Sequence, residues 1–303
     1  MTNRSTRAKL SQAIQGTRLT ETALRSMGND LADTLALRSE LDTAEATIVS
    51  NTALVASTEA RLIASPAQQT VPVSTVFDDF HGIWNANVAA TEQIRLWLST
   101  KGSGGNTAVA TTVANSVNGE VTLTSSTADG ATSANASNIT GSNLGYKANK
   151  GGLAMEARLK IDDIVEAYVF VGFTDVLGST VEHPIDFTDA SNTLISDATN
   201  ACGIVFSGDA TTQQWCHGGV KAGTDTTAAF SGTAPVNDTY VVLRVEVSAA
   251  GAVQGFINGT AIGAAVANAV TITTALTPAV VVSSTAAAAT VMTLDYIWVQ
   301  QNR

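Results

Sequence analysis

Apolar residues recur at helical spacing in the first sixty or so positions and at alternating spacing through most of the rest, so the chain divides into two regimes. Residues 8–64 contain no proline and only two glycines, Gly16 and Gly28, and are dense in Ala, Leu, Thr, Glu and Arg, which predicts helix. Leu41, Ile48, Val55 and Leu62 repeat every seventh residue, and stepping back in sevens passes Thr34 and reaches Met27. A second series runs Leu10, Thr17, Leu24, Leu31, and together the two make an apolar seam at coiled-coil spacing. The second series continues into Arg38, Glu45, Thr52 and Glu59, while Val49, Ala56 and Ile63 join beside the first, so the stripe rotates around the helix. That pattern fits an amphipathic helix, or two broken near Gly28, packed on its own domain. It also fits an arm that meets other subunits, because most helical stability comes from tertiary contact. Such an arm would extend roughly 85 Å at 1.5 Å per residue. Ser65-Pro66 ends the pattern, since proline lacks the amide hydrogen and disfavours helix before it. Residues 1–66 are therefore expected to be a helical arm for attachment or oligomerisation, 67–76 a linker, and 77–303 a separate β domain.

From Phe77 onward the period is two. Leu153, Met155, Ala157, Leu159 and Ile161 point one way, and Glu156, Arg158, Lys160 and Asp162 the other, as in a half-buried antiparallel strand. Tyr168–Phe173 and Cys202–Phe206 are apolar runs suited to central strands, and Tyr240–Val247 alternates with Arg244 and Glu246 outward. Ala249-Ala250-Gly251 predicts one turn, and Asn258-Gly259 predicts a two-residue hairpin because both residues tolerate positive φ. Val117–Leu123 reads as a further hairpin in a polar stretch, and Gly178–Thr199 as the longest surface loop. The closing strand, Val291–Val299, places Leu294, Tyr296 and Trp298 on one face and is expected beside Phe77–Ile83. Many short strands without intervening helical period predict a mainly β fold, an antiparallel jelly-roll β-sandwich after a long helical N-terminal arm.

Composition narrows the function classes. Aromatic residues make up only 5% and charged residues 14% of the 303 residues. The net charge is −10, and it arises after residue 66, where nine basic residues meet nineteen acidic ones. That acidity removes the electrostatic footprint nucleic acid requires. No stretch has the character of a membrane span, and the N-terminus has no signal-peptide core, which predicts assembly in the cytoplasm without secretion. Cys202 and Cys216, fourteen residues apart, are expected as buried thiols rather than a bridge in a cytosol-made protein. His81, His183 and His217 stand in three separate segments, with no zinc-ligand spacing and no nucleophile elbow. Catalysis is accordingly not expected, and no cofactor.

A family resemblance adds to this. Phe77-Asp-Asp-Phe80, Gly151-Gly-Leu153, Gly172-Phe-Thr-Asp175, Ile257-Asn-Gly259 and Leu294-Asp-Tyr-Ile297 occur in an order that resembles concanavalin A-like, laminin G-like jelly rolls, and more narrowly those of tailed-bacteriophage structural proteins. The resemblance covers residues 77–303. It implies a virion structural protein, a capsid decoration or head-fibre protein held to the major capsid protein or other virion proteins through its arm. Leu24, Met27, Leu31, Leu41, Ile48, Val55 and Leu62 would form the attachment and oligomer seam, and a homotrimer is the first expectation. A tail-fibre or baseplate component is the neighbouring alternative. A lectin module for host-surface glycans is another, with Trp215 the tryptophan expected at the surface. Asp78, Asp79 and Asp175 are the candidate oxygen ligands for calcium, against a plainer role bonding nearby amides. The paired-carboxylate strand of the glycanase branch is missing: Glu156 and Asp162 share a face but lie about 20 Å apart at ~3.3 Å per residue, too far for a glycosidase pair.

Overall fold

A computed structural model of the protein describes residues 25–39, 73–80, 91–94, 97–101, 110–112, 119–126, 136–177, 183–188 and 191–303. The chain forms two compact units, Met1–Thr70 and Val71–Arg303. In the first unit, helix α1 covers residues 25–39 and runs unbroken through Gly28. Leu31, Leu35 and Leu37 are each more than half exposed on it. The remainder of the expected arm lies outside the described residues. No described helix is long and apolar enough to cross a membrane.

The second unit is an antiparallel β-sandwich of jelly-roll type. Its first sheet joins β1 (Val73–Asp78), β4 (Ala110–Thr112), β5 (Val121–Thr124), β7 (Leu153–Ile161), β15 (Val241–Val247), β16 (Val253–Ile257), β17 (Thr260–Ala261) and β19 (Val291–Asn302). Its second sheet joins β2 (Thr91–Ile94), β3 (Trp97–Lys101), β6 (Ser137–Gly141), β8 (Ala167–Thr174), β11 (Ala201–Ser207), β12 (Cys216–Lys221), β13 (Thr224–Asp225), β14 (Ala229–Phe230) and β18 (Thr277–Ser284). A short hairpin, β9 (Asp186–Phe187) with β10 (Leu194–Ile195), stands apart from both.

Alternation produces the first sheet as expected. In β7, Leu153, Met155, Ala157, Leu159 and Ile161 are buried while Glu156, Arg158 and Lys160 are half-exposed. β15 turns Leu243, Val245 and Val247 inward by the same rule. Each such side chain contributes about 1.5–3 kcal/mol on full burial. Asn258 and Gly259 adopt φ of 49° and 80°, the geometry of the expected two-residue hairpin, which joins β16 to β17. β1 begins at Val73, within the stretch expected as linker, because the alternating Val73-Ser-Thr-Val-Phe77 pairs with β19 from Val73↔Asn302 to Asp78↔Ile297; residues 67–72 lie outside the described residues. The same pairing places the domain's first strand beside its last, as expected.

Two sequence expectations fail for identifiable reasons. Leu294 does not share a face with Tyr296 and Trp298. A β-bulge separates them, Leu294 facing Leu159 and Tyr296 facing the adjacent Arg158, and one extra residue reverses the parity of everything after it. Leu294 is therefore in the core while Tyr296 and Trp298 are half-exposed. Gly178–Thr199 is also more than a surface loop. Ile185, Phe187, Leu194 and Ala198 from it are buried, and with Tyr168, Phe170, Val205 and Val281 they form a second core on the outer face of the second sheet. This is why β8, β11 and β18 are buried along their whole length. Cys202 lies in the core between the sheets and Cys216 in this second core. The two thiols sit on opposite faces of the sheet and both are free.

Candidate functional site

With one outer face sealed, the outer face of the first sheet is the surface that alternation leaves open to a ligand. Strand pairing aligns one residue from each of five strands in a row: Phe77, Trp298, Glu156, Arg244 and Phe256. The next row is Thr75, Gln300, Ala154, Glu246 and Gln254. On the other side, Tyr296 stands opposite Arg158. Ala154 is the smallest side chain in its row, and above it lies a depression of about 340 Å³ bordered by Arg244, Glu246, Gln254 and Gln300.

The bulge makes the aromatic part of this surface. It sets Asp295 beside Tyr296, so Asp295 forms a charged hydrogen bond with Arg158 while the Tyr296 hydroxyl donates to Glu156 at 2.8 Å. Tyr296 then lies 5.8 Å from Phe77, ring centroid to centroid. Phe77 is 59% exposed, and with Tyr296 and Trp298 it forms one aromatic patch next to the depression. Arg244 lies over Trp298 at 5.3 Å, and Arg158 over Tyr240 at 4.0 Å, both within cation–π range.

The charges on this face are mutually engaged. Arg244 bonds Glu246 at 2.6 Å and stands 3.9 Å from Glu156, and the Tyr240 hydroxyl donates to Glu120. Burial, and then the hydrogen bond to a carboxylate, push the phenols of Tyr240 and Tyr296 up from the usual tyrosine range. The hydrogen bond to Asp295 holds Arg158 even more firmly charged. The face is therefore a fixed pattern of donors and acceptors with aromatic rings among them. Such a surface offers stacking faces and hydrogen-bonding groups side by side.

The residues singled out from sequence do not gather into another site. Trp215 is 1% exposed and packs on Phe206 at 5.5 Å, so the expectation of a surface tryptophan there fails. In a chain poor in aromatics its large ring fills the core, and Trp298 takes the surface position. Asp78 accepts the Phe80 amide at 2.8 Å and the Trp97 indole N–H at 3.0 Å. Asp79 follows it, and Asp175 accepts from Asn200 at 3.1 Å. Asp78 ends a strand of the first sheet and Asp175 follows one of the second, so their positions suit local bonding. No group of three or more His, Cys, Asp or Glu among the described residues is placed to hold a metal ion. His183 bonds Asp186 at 3.0 Å and stacks on Tyr168 at 4.0 Å, His217 is fully buried, and His81 lies outside the described residues. Of the seam residues, Met27 and Leu31 lie on α1. Leu24, Leu41, Ile48, Val55 and Leu62 lie outside the described residues.

No family model matches this chain, and none of the curated proteins matches it. Solved structures similar to it include the Emp47p carbohydrate recognition domain, at 10% identity over 76% of this chain and 96% of that one, with a TM-score of 0.49. Another is SCLam, a non-specific endo-β-1,3(4)-glucanase from family GH16, at 12% identity over 77% and 94% with a TM-score of 0.46. A third is a protein of unknown function from Shewanella oneidensis MR-1, at 13% identity over 76% and 87% with a TM-score of 0.45.

Proposed function

We propose that the sandwich is a carbohydrate-binding module that uses the outer face of its first sheet, carried on the helical segment as an adhesion device. The observation that carries this reading is the half-exposed patch of Phe77, Tyr296 and Trp298 bordering a depression ringed by carboxamide, carboxylate and guanidinium groups. Aromatic faces stack on the C–H faces of sugar rings, and neighbouring polar groups pair with their hydroxyls. Glu156 and Glu246 both engage Arg244, so their carboxylates are held as fixed acceptors beside the rings.

The test is a glycan-array screen of the full chain, followed by affinity measurements on Trp298→Ala and Phe77→Ala. Loss of either ring should weaken binding about tenfold, the equivalent of ~1.4 kcal/mol, with circular dichroism unchanged. Unaltered affinity in both variants, or no bound glycan, would remove the reading.

The virion setting is a second proposal, favoured by α1. Leu31, Leu35 and Leu37 present apolar surface more than half exposed, which a partner subunit, the major capsid protein or another virion protein would cover. In that setting the module is a capsid decoration or head-fibre protein. Quantitative mass spectrometry of purified particles decides it: hundreds of copies support shell decoration, a few tens a fibre or tail role, and absence rejects the virion setting.

A further inference from the structure

A second concavity, remote in character from the charged face, opens between the two sheets at one end of the sandwich. It has a volume of about 260 Å³. The first sheet contributes the inner side of β1 and the end of β19. The second contributes the start of β3, the end of β6 and the start of β18. Asp78 on β1 accepts the indole N–H of Trp97 on β3 at 3.0 Å, a bond from one sheet to the other that fixes the spacing here. Gly141 opposes Trp97, and a Cβ at Gly141 would lie 2.6 Å from Thr277 Oγ1 and 3.0 Å from Pro278, so glycine lets β18 close against β6.

The lining is selective in its chemistry. Ser74, Ser142, Asn143, Tyr146 and Gln301 supply its polar atoms, and among the described residues none that lines it carries a charge. Gln301 is 9% exposed and its Oε1 accepts the Lys147 amide. That bond fixes the carboxamide, and its Nε2 meets no acceptor among the described residues, so two oriented donors are left for a ligand. The Tyr146 hydroxyl likewise has no protein partner among the described residues, and burial keeps it protonated by raising its pKa. Val76 and Pro278 give the same cleft an apolar side. A charged ligand here would lose hydration without gaining a counter-charge. A ring with one C–H face and a rim of hydroxyls matches both sides of the lining. The volume equals that of roughly nine water molecules at ~30 Å³ each, the room one such ring with its hydroxyls needs.

We infer that this inter-sheet cleft is a binding site for an uncharged, polyhydroxylated ligand of monosaccharide size, separate from the glycan platform proposed above and independent of it. The ligand lays its apolar face toward Val76 and Pro278 and presents its hydroxyls to Gln301, Tyr146, Asn143 and the two serines.

The experiment is saturation-transfer NMR on the full chain with glucose, galactose, mannose, N-acetylglucosamine and myo-inositol as neutral probes and glucuronate as the charged one. At least one neutral probe should saturate in the millimolar range, with glucuronate at least tenfold weaker. Ser142→Trp, which fills the cleft from an accessible loop position, should abolish that signal, and Trp298→Ala on the outer face should leave it unchanged. Ser74→Ala and Asn143→Ala, which add no bulk, should each weaken binding severalfold and keep the site testable if the tryptophan variant does not fold. Saturation by none of the neutral probes would overturn the inference, as would a signal lost in Trp298→Ala but retained in the cleft variants. The first result would leave the outer-face reading to its own test, because that reading rests on other residues and is decided by the glycan array and the Trp298→Ala and Phe77→Ala affinities.

Discussion

His217 should make the sandwich acid-sensitive, and replacing it should remove that sensitivity. The side chain is fully buried on the inner face of β12, opposite Ile204, and neither ring nitrogen has a full hydrogen bond. Burial lowers its pKa from 6.5 to about 4, opposed weakly by the Ala264 backbone. The unfolded chain takes up a proton near pH 6.5 while the folded protein refuses it until about pH 4, so the unfolded state binds more protons in that window. Stability is therefore fully present above pH 6.5 and is lost as the pH falls toward 4. At about 1.4 kcal/mol per pH unit the total loss is about 3 kcal/mol. His217→Leu removes the titrating group and two unsatisfied buried nitrogens, at the cost of a change of shape in the core. It should be close to neutral at pH 8 and about 2 kcal/mol more stable than the parent at pH 5. Urea unfolding followed by tryptophan fluorescence reads this out cleanly, because Trp84, Trp97, Trp215 and Trp298 all lie after residue 76. The contribution of other carboxylates cancels in the difference between the two proteins. A difference that stays constant within about 0.5 kcal/mol from pH 8 to pH 5 would refute the argument and place the acid sensitivity elsewhere.

Two further outcomes follow from packing. Gly172→Ala should destabilise the sandwich by at least about 3 kcal/mol, because the added Cβ would lie 2.3 Å from the Cys202 carbonyl oxygen and 2.6 Å from the Gly203 Cα. Backbone cannot move aside as a flexible side chain can, so a loss below about 1 kcal/mol in thermal or urea unfolding would mean that β8 and β11 are not so closely opposed. Burial pushes the Cys202 thiol up to about 12 and Cys216 higher still, and the thiolate is the reactive form. Ellman's reagent should accordingly label neither cysteine in the native protein and both in guanidinium chloride, and rapid native labelling would show one of them accessible.

The sandwich was legible where a local rule was sufficient. Period-two alternation located β7 and β15 with the correct faces, and Asn258-Gly259 marked its hairpin, since each depends on a few adjacent residues. The outer-face site was legible only in part. Glu156, Arg158, Arg244 and Glu246 were visible as outward residues, but their convergence depends on strand order and register, which a single sequence does not encode locally. Strict alternation places Tyr296 and Trp298 with Leu294, and the bulge between Leu294 and Tyr296 breaks it. The signal that could have broken it is Asp295, a charged residue amid the apolar run Val291–Val299, which must either face outward or disturb the strand. Around Trp215 the neighbours Gln213, Gln214 and His217 suggest a polar surface. His217 is itself buried, so local polarity there was a poor guide to exposure.

The two outer faces of the sandwich are used in opposite ways, and this follows from what covers each. The second sheet carries Tyr168, Phe170, Val205 and Val281 outward, and these would be an exposed apolar patch without the hairpin β9–β10 and its flanks. Phe170 lies across the opposed Gly172 and Gly203, where any larger residue would strike its ring, so the cover can approach closely. The first sheet has charged residues where the second has aliphatic ones. Glu156, Arg158, Arg244 and Glu246 cannot be buried under a second layer without leaving charges short of water. Mutual ion pairing and cation–π contacts hold them in place and leave Phe77, Tyr296 and Trp298 open beside them. Moving one charge pair would thus be expected to change the outer face of the first sheet alone, while shortening the cover would expose an apolar sheet and threaten solubility.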